Sequence, residues 1–409
     1  MQKLDEKLLS SNPFIFNESD RIIACVGENG GTDDEDILQG FKSTVLLIVN
    51  NIINEHGTED ELIYPLVYSV RHCVELALKI SIEKIKTICD IKELQFELLP
   101  KELHTHDIQS LEKSLKKISS VDRRIDDWFS VALQYTKDYH FDKKSDIFRY
   151  AKDREGNESL AMLDISQISI ETLKCKFDRM MELLENAILE LDFLIKEYSV
   201  GTYTQRLSRF DIEQISLKLP DYDLWGNEEF ASIKEKLKSE YQIGSNALSD
   251  GIDIIKNHPL FAANIKIEIQ VGCISCDEMQ DYCELVVQLY NPEEMKPICK
   301  QAGENIEILL KELPKKMDRQ RELAKNISNE ALCSILAFGD MVETGDVFCE
   351  NYAKHYSYFT DNKSLNRDWI IKKIRTVLFA KKVSLGLRLC GQKQYEKMLE
   401  CALNNIAEI

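Results

Sequence analysis

Helix breakers are scarce in this chain: 8 prolines and 16 glycines are spread through 409 residues. A helix interior loses about 3 kcal/mol at a proline and about 1 kcal/mol at a glycine. Long stretches of Leu, Ile, Glu and Lys without either are therefore free to run as helices, and an all-α fold is predicted. A chain of this length exceeds one core. Two domains are expected: a helical bundle over residues 1–200, and a second, mainly helical domain over 201–409 with at most a minor β element. Val200-Gly201-Thr202 marks the boundary between them.

Thr32 followed by Glu35 reads as a capping box opening a helix to about Asn54, whose apolar face is Ile37, Phe41, Val45, Leu46, Val49 and Ile52. A second helix runs from about Glu61 to Ile88 with Pro65 in its first turn. Asp107 caps a helix over Ile108–Ile118, and another follows over Arg123–Tyr139. Phe148–Ser159 is turn-rich and reads as a loop or short hairpin, and a long helix over Ser169–Tyr198 closes the first half. Beyond it, helices are predicted over Asp211–Leu219, Glu228–Tyr241, Ser245–Asn257, Ser328–Gly339, Asp346–Tyr358 and Trp369–Leu389. Two stretches, Ile265–Val271 and Cys283–Tyr290, alternate or concentrate apolar residues as lone strands would.

Charge narrows the function. The formal net charge is −18, and an acidic surface repels the phosphates of duplex DNA, so a DNA-coating role is excluded while a local basic pocket for RNA is not. The 12 cysteines follow no disulfide framework and no apolar leader precedes them, which predicts reduced thiols and a cytoplasmic protein. No apolar stretch reaches the length of a membrane span.

The second helix carries the feature with chemical content. At about 100° per residue, Tyr64, Tyr68, Arg71, His72, Glu75 and Lys79 fall on one arc of a helix that is otherwise Leu, Val, Ile, Ala and Cys. The plain reading is a pair of i,i+4 ion pairs on a solvated edge. The other is a site: an arginine can hold a phosphate while an imidazole moves a proton near neutral pH. Two further segments could converge on it. His104-Thr-His106-Asp107 stands at a helix start, and Phe148-Arg149-Tyr150 sets a guanidinium beside an aromatic ring.

Taken together, Tyr-x-x-Arg-His-x-x-Glu-Leu-x-Leu-Lys, His-Asp-Ile-x-x-Leu and Phe-Arg-Tyr before a Gly-Asn turn resemble a branch of the HEPN superfamily. Its members are helical-bundle proteins of toxin–antitoxin, abortive-infection and anti-phage systems. The resemblance covers about residues 25–200. It implies a bacterial defence or toxin-type protein, commonly a homodimer with a cognate antitoxin or partner, whose N-terminal bundle binds RNA and cleaves it without a metal or cofactor. Arg71, His72 and Glu75 would be catalytic, with His72 as acid/base and Arg71 on the phosphorane. Lys79, Tyr68, His104, His106, Arg149 and Tyr150 would bind substrate. The alternative is a non-catalytic sensor or scaffold acting through dimerisation or nucleotide binding.

Cys273-x-x-Cys276, with Cys283, His258 and Cys299, has partial zinc-ligand spacing but lacks a second close pair; free thiols and no metal are expected. Gly27–Gly31 is followed at once by Asp33, Asp34, Glu35 and Asp36, which would repel a phosphate, and reads as an ordinary turn.

Overall fold

The computed structural model describes residues 9, 12–15, 21–95, 104–152, 160, 163–288, 322, 324–362 and 366–407. Every regular element among them is a helix, and the fold is all-α. None of these helices is long and apolar enough to cross a membrane. The chain divides into two compact units, Met1–Ile195 and Lys196–Ile409.

The first unit is built on two long helices packed together, α1 (Asp34–Ile53) and α2 (Glu59–Ile91), and α3 (Ile108–Ile118) packs against α2. α4 (Arg123–Ser130) and α5 (Ala132–Tyr135) follow, then α6 (Ile170–Ser199). The cap of α1 is one residue later than its sequence suggests. Asp33 accepts from Asp36 N–H at 2.9 Å and Asp36 returns the bond to Asp33 N–H, because two carboxylates cap better than a threonine placed one position too early. The α2 helix has Leu66, Val67, Val70, Cys73, Val74, Ala77, Leu78, Ile82, Ile85 and Ile88 buried, so it is enclosed on most sides, as its composition demands. α6 buries Phe177, Met181, Leu184, Ile188 and Leu191 at helical spacing. It is tied to the other helices by Lys42–Glu185 at 2.6 Å and a Lys84–Asp192 pair. The helix expected over Arg123–Tyr139 is instead α4, α5 and a 3-10 turn.

The second unit holds two cores. α7 (Arg209–Lys218), α8 (Glu228–Tyr241), α9 (Ser245–Asn257) and α10 (Pro259–Asn264) enclose Ile212, Ile215, Leu248, Ile255 and Phe261. α11 (Cys276–Gln288), α12 (Asn329–Glu343), α13 (Tyr352–Asp361), α14 (Arg367–Ile374), α15 (Val377–Leu389) and α16 (Lys393–Ala407) enclose Leu332, Leu336, Phe338, Val383 and Leu399. The predicted Trp369–Leu389 helix is split because Thr376 caps α15, accepting from Phe379 N–H. The helix expected from Asp346 begins at Tyr352 after a 3-10 turn over Cys349–Asn351.

Neither predicted strand forms among the described residues. Cys283–Gln288 belongs to α11, and positions 289–290 lie outside them. Ile265–Val271 does alternate, with Ile265 buried, Ile267, Ile269 and Val271 half-buried, and Lys266, Glu268 and Gln270 exposed. No second strand lies beside it among the described residues, so the alternation makes no sheet there. Phe148–Tyr150 is a turn rather than a hairpin; residues 153–159 of that expectation fall outside the described residues.

α12 and α15 cross closely enough that a Cβ on Gly386 would stand 2.1 Å from the Phe338 carbonyl oxygen. Backbone cannot yield as a side-chain tip can. Gly386→Ala is expected to destabilise the second unit by about 3 kcal/mol, measured as a lowered denaturant midpoint; an unchanged midpoint would show that the helices can separate freely.

Candidate functional site

α2 brings the predicted residues together, but divides them by depth. Arg71 is 1% exposed and Glu75 1% exposed. Each nitrogen of the Arg71 guanidinium has a partner: Nη1 donates to Glu75 Oε2 at 3.0 Å, Nη2 to the Asp142 carbonyl at 2.8 Å and to the His106 carbonyl, and Nε meets Asp142 Oδ2 at 3.3 Å. It thus ties the loop after Tyr139 and the start of α3 to the core helix, and its burial keeps the guanidinium out of reach of a phosphate. A buried cation needs such partners.

Glu75 joins this anchor to the surface. Its Oε1 accepts from Lys79 Nζ and meets His106 Nδ1, each at 2.8 Å. Burial alone would raise the Glu75 carboxyl, yet the bonds from Lys79, His106 and Arg71 outweigh it and hold the carboxyl below its usual range. Lys79 is partly exposed and the His106 ring is largely exposed, so the negative charge is deep and its two hydrogen-bond partners from the surface face outward.

His72 lies beside this network, half-buried. Its ring meets Phe41 edge-on at 4.3 Å between centroids and runs parallel to Tyr68, with 5.8 Å between centroids and 7° between planes. Burial lowers its pKa; Glu75 opposes this, while Lys79, Arg71 and His106 push the same way as burial. The imidazole is therefore neutral near pH 7, and no hydrogen bond to it occurs among the described residues. Arg149, exposed, stands over the Tyr68 ring at 5.6 Å and the Tyr150 ring at 5.4 Å, within cation–π range. Lys143 and Lys144 are exposed on the same loop, directly after the Asp142 that Arg71 grips.

The expected convergence of three separate stretches is thus present for Tyr68, His72, Lys79, His106, Arg149 and Tyr150. Arg71 and His72 were expected to act together on one phosphate; instead Arg71 is buried in the ion-pair network and His72 is half-buried beside it. His104 is exposed and is not among the charged neighbours of His72. Sequence reasoning missed Asp142 and Phe41. The i,i+4 period of α2 reveals its own face, but nothing about which distant loop covers it.

The second unit holds a buried polar cluster that sequence reasoning also missed. Glu350 accepts from Arg209 Nε at 2.8 Å and meets His258 Nε2 at 2.9 Å, and Cys349 Sγ is 3.4 Å from the same nitrogen. Arg209 is sandwiched between Phe261 and Phe348, 5.0 Å from each centroid. Burial would raise the Glu350 carboxyl, but the bonds from His258 and Arg209 hold it well below the usual carboxylate range. The donor atoms of His258, Cys349 and Glu350 lie within 4.8 Å of one another, a set whose chemistry suits a divalent metal. The hydrogen bonding argues otherwise. His258 Nδ1 accepts from Phe261 N–H at 3.4 Å, so the ring proton belongs on Nε2, facing Glu350, where a metal would have to bind. Arg209 holds both Glu350 oxygens, and burial pushes the Cys349 thiol up to about 12. The cluster is complete as a hydrogen-bonded node around the Arg209–Glu350 ion pair. His258 is thus drawn to Cys349, while Cys273 and Cys276 are exposed around the start of α11; Cys299 lies outside the described residues.

The chain matches no known protein family, no characterised protein and no solved structure.

Proposed function

We propose that the N-terminal unit binds single-stranded RNA across the outer edge of α2, as part of a cytoplasmic defence or toxin-type protein acting with a cognate partner. The observation that carries this reading is the Tyr68–His72 pair of parallel rings flanked by the outward cations Arg149 and Lys79. Single-stranded nucleic acids are held by stacking on such rings, at about 1–3 kcal/mol per base, beside cations that follow the backbone. Local basic groups are what an acidic chain requires for this task. Arg71 and Glu75 serve as the buried frame that holds Lys79 and His106 in place.

Cleavage is the second reading, favoured by the neutral His72. An imidazole in that state can take the ribose 2′-OH proton as that oxygen bonds to phosphorus and then return it to the departing 5′ oxygen, leaving a 2′,3′-cyclic phosphate, with Lys79 and Arg149 rather than Arg71 available to the phosphate. In the non-catalytic alternative the same face binds nucleotide or partner only.

Fluorescence anisotropy with a labelled oligoribonucleotide tests binding. Tyr68→Ala is expected to weaken it about ten-fold, and Arg149→Ala to weaken it while reducing the salt slope by about one. Affinity unchanged in both variants would remove the proposal. Incubation in EDTA separates the two readings: product that disappears with His72→Ala marks cleavage, and intact RNA with retained binding marks the binding module.

A further inference from the structure

The Ile265–Val271 segment of the second unit is an edge without a sheet. Its inward residues are held on one side by Gln392, whose Nε2 donates to the Ile269 carbonyl at 2.8 Å and whose Oε1 accepts from Val271 N–H at 3.1 Å. Those are the two groups that one residue of a neighbouring parallel strand would take. On the same side Ile267 N–H is taken by the Ala262 carbonyl at 2.9 Å. In an extended chain, the groups of Glu268 and Gln270 point the other way. Their backbone N–H and C=O groups make no hydrogen bond among the described residues, and both side chains are exposed. An open edge of this kind is a template for another strand.

The segment's own sequence fits it. We propose that a second copy of this chain pairs here, antiparallel, about a two-fold axis at Ile269. In that register Glu268 of one copy faces Gln270 of the other, and all four open groups on each copy find partners through four backbone bonds. Shifting the axis to Glu268 would set two carboxylates face to face, which is unfavourable. Shifting it to Ile267 would bring in Lys266, whose φ of 64° takes the backbone out of the extended region. The opposite side is closed by Gln392 and Ala262, so pairing ends after two copies and gives a dimer rather than a filament. The dimer is independent of the RNA reading, since it uses the second unit alone.

Sedimentation velocity from micromolar to millimolar protein provides the test. Wild type is expected to move from the 47.3 kDa monomer towards a dimer as concentration rises, while hydrogen exchange slows at Glu268 and Gln270. Gln270→Glu should weaken the dimer about ten-fold, since it sets a carboxylate against Glu268 twice, and Gln270→Lys should tighten it by a similar factor. Gln270→Pro, which removes a bonding N–H, should leave monomer. The position is exposed and each variant is expected to keep the wild-type circular dichroism, although Gln270→Glu and Gln270→Pro give up the 3.0 Å bond from Nε2 to the Ile274 carbonyl. A wild type that stays monomeric throughout overturns the proposal, as does a dimer whose affinity ignores both charged variants.

Discussion

Arg71→Met is expected to cost the N-terminal unit about 3–5 kcal/mol, the loss typical of a buried ion pair deprived of one partner. Methionine fills much of the space but satisfies none of Glu75 Oε2, the Asp142 carbonyl or the His106 carbonyl. The loop carrying Arg149 and the start of α3 would lose their common tether. His72→Ala, at a half-buried position without hydrogen bonds to the described residues, is expected to cost only about 1 kcal/mol. Urea unfolding followed by hydrogen exchange in α2 separates the two variants. Equal, small losses would show that Arg71 is not an anchor. A catalytic arginine would instead leave stability near wild type and remove activity alone.

Glu350→Gln is the counterpart in the second unit, expected to cost about 3 kcal/mol, because it leaves the buried Arg209 only the longer pair to Glu213 at 3.4 Å. The sign of the pH dependence follows from the depressed Glu350 pKa. A carboxyl held below its unfolded value stabilises the fold at pH above the ordinary carboxylate range. That contribution fades as the pH falls through about 4 toward the folded value. Wild type should therefore lose stability of the second unit on acidification, and Glu350→Gln should show a shallower slope over the same range. Parallel slopes would mean that acid acts elsewhere, with Glu278 the next candidate, since its carboxyl is lowered to about 2.

Much of the fold is legible in the sequence because helices announce themselves locally. Glu228–Tyr241 and Ser245–Asn257 run as their apolar periods predict, and Asp107 caps α3, accepting from Gln109 N–H. The errors arise where local pattern is answered by a distant partner or by none. Ile265–Val271 has the period of a strand, yet a strand requires a neighbour, and no local signal reveals that the side chain of Gln392 would stand in for one. The polar arc of α2 is equally plain, but burial separates its members. Arg71 and His72 are adjacent in sequence and differ in role because Asp142, 71 positions on, covers one and leaves the other open. The Arg209–His258–Glu350 node spans 141 positions and carries no spacing that a sequence could display.

The outer edge of α2 as the RNA surface is tested most directly by photo-crosslinking a 4-thiouridine oligoribonucleotide to the whole protein and mapping the modified peptides. The expected crosslinks fall on Tyr68, His72 and the Phe141–Tyr150 loop, and are lost with Arg149→Ala. Crosslinks confined to residues beyond 195, or none at concentrations where a basic control protein labels fully, would contradict the account.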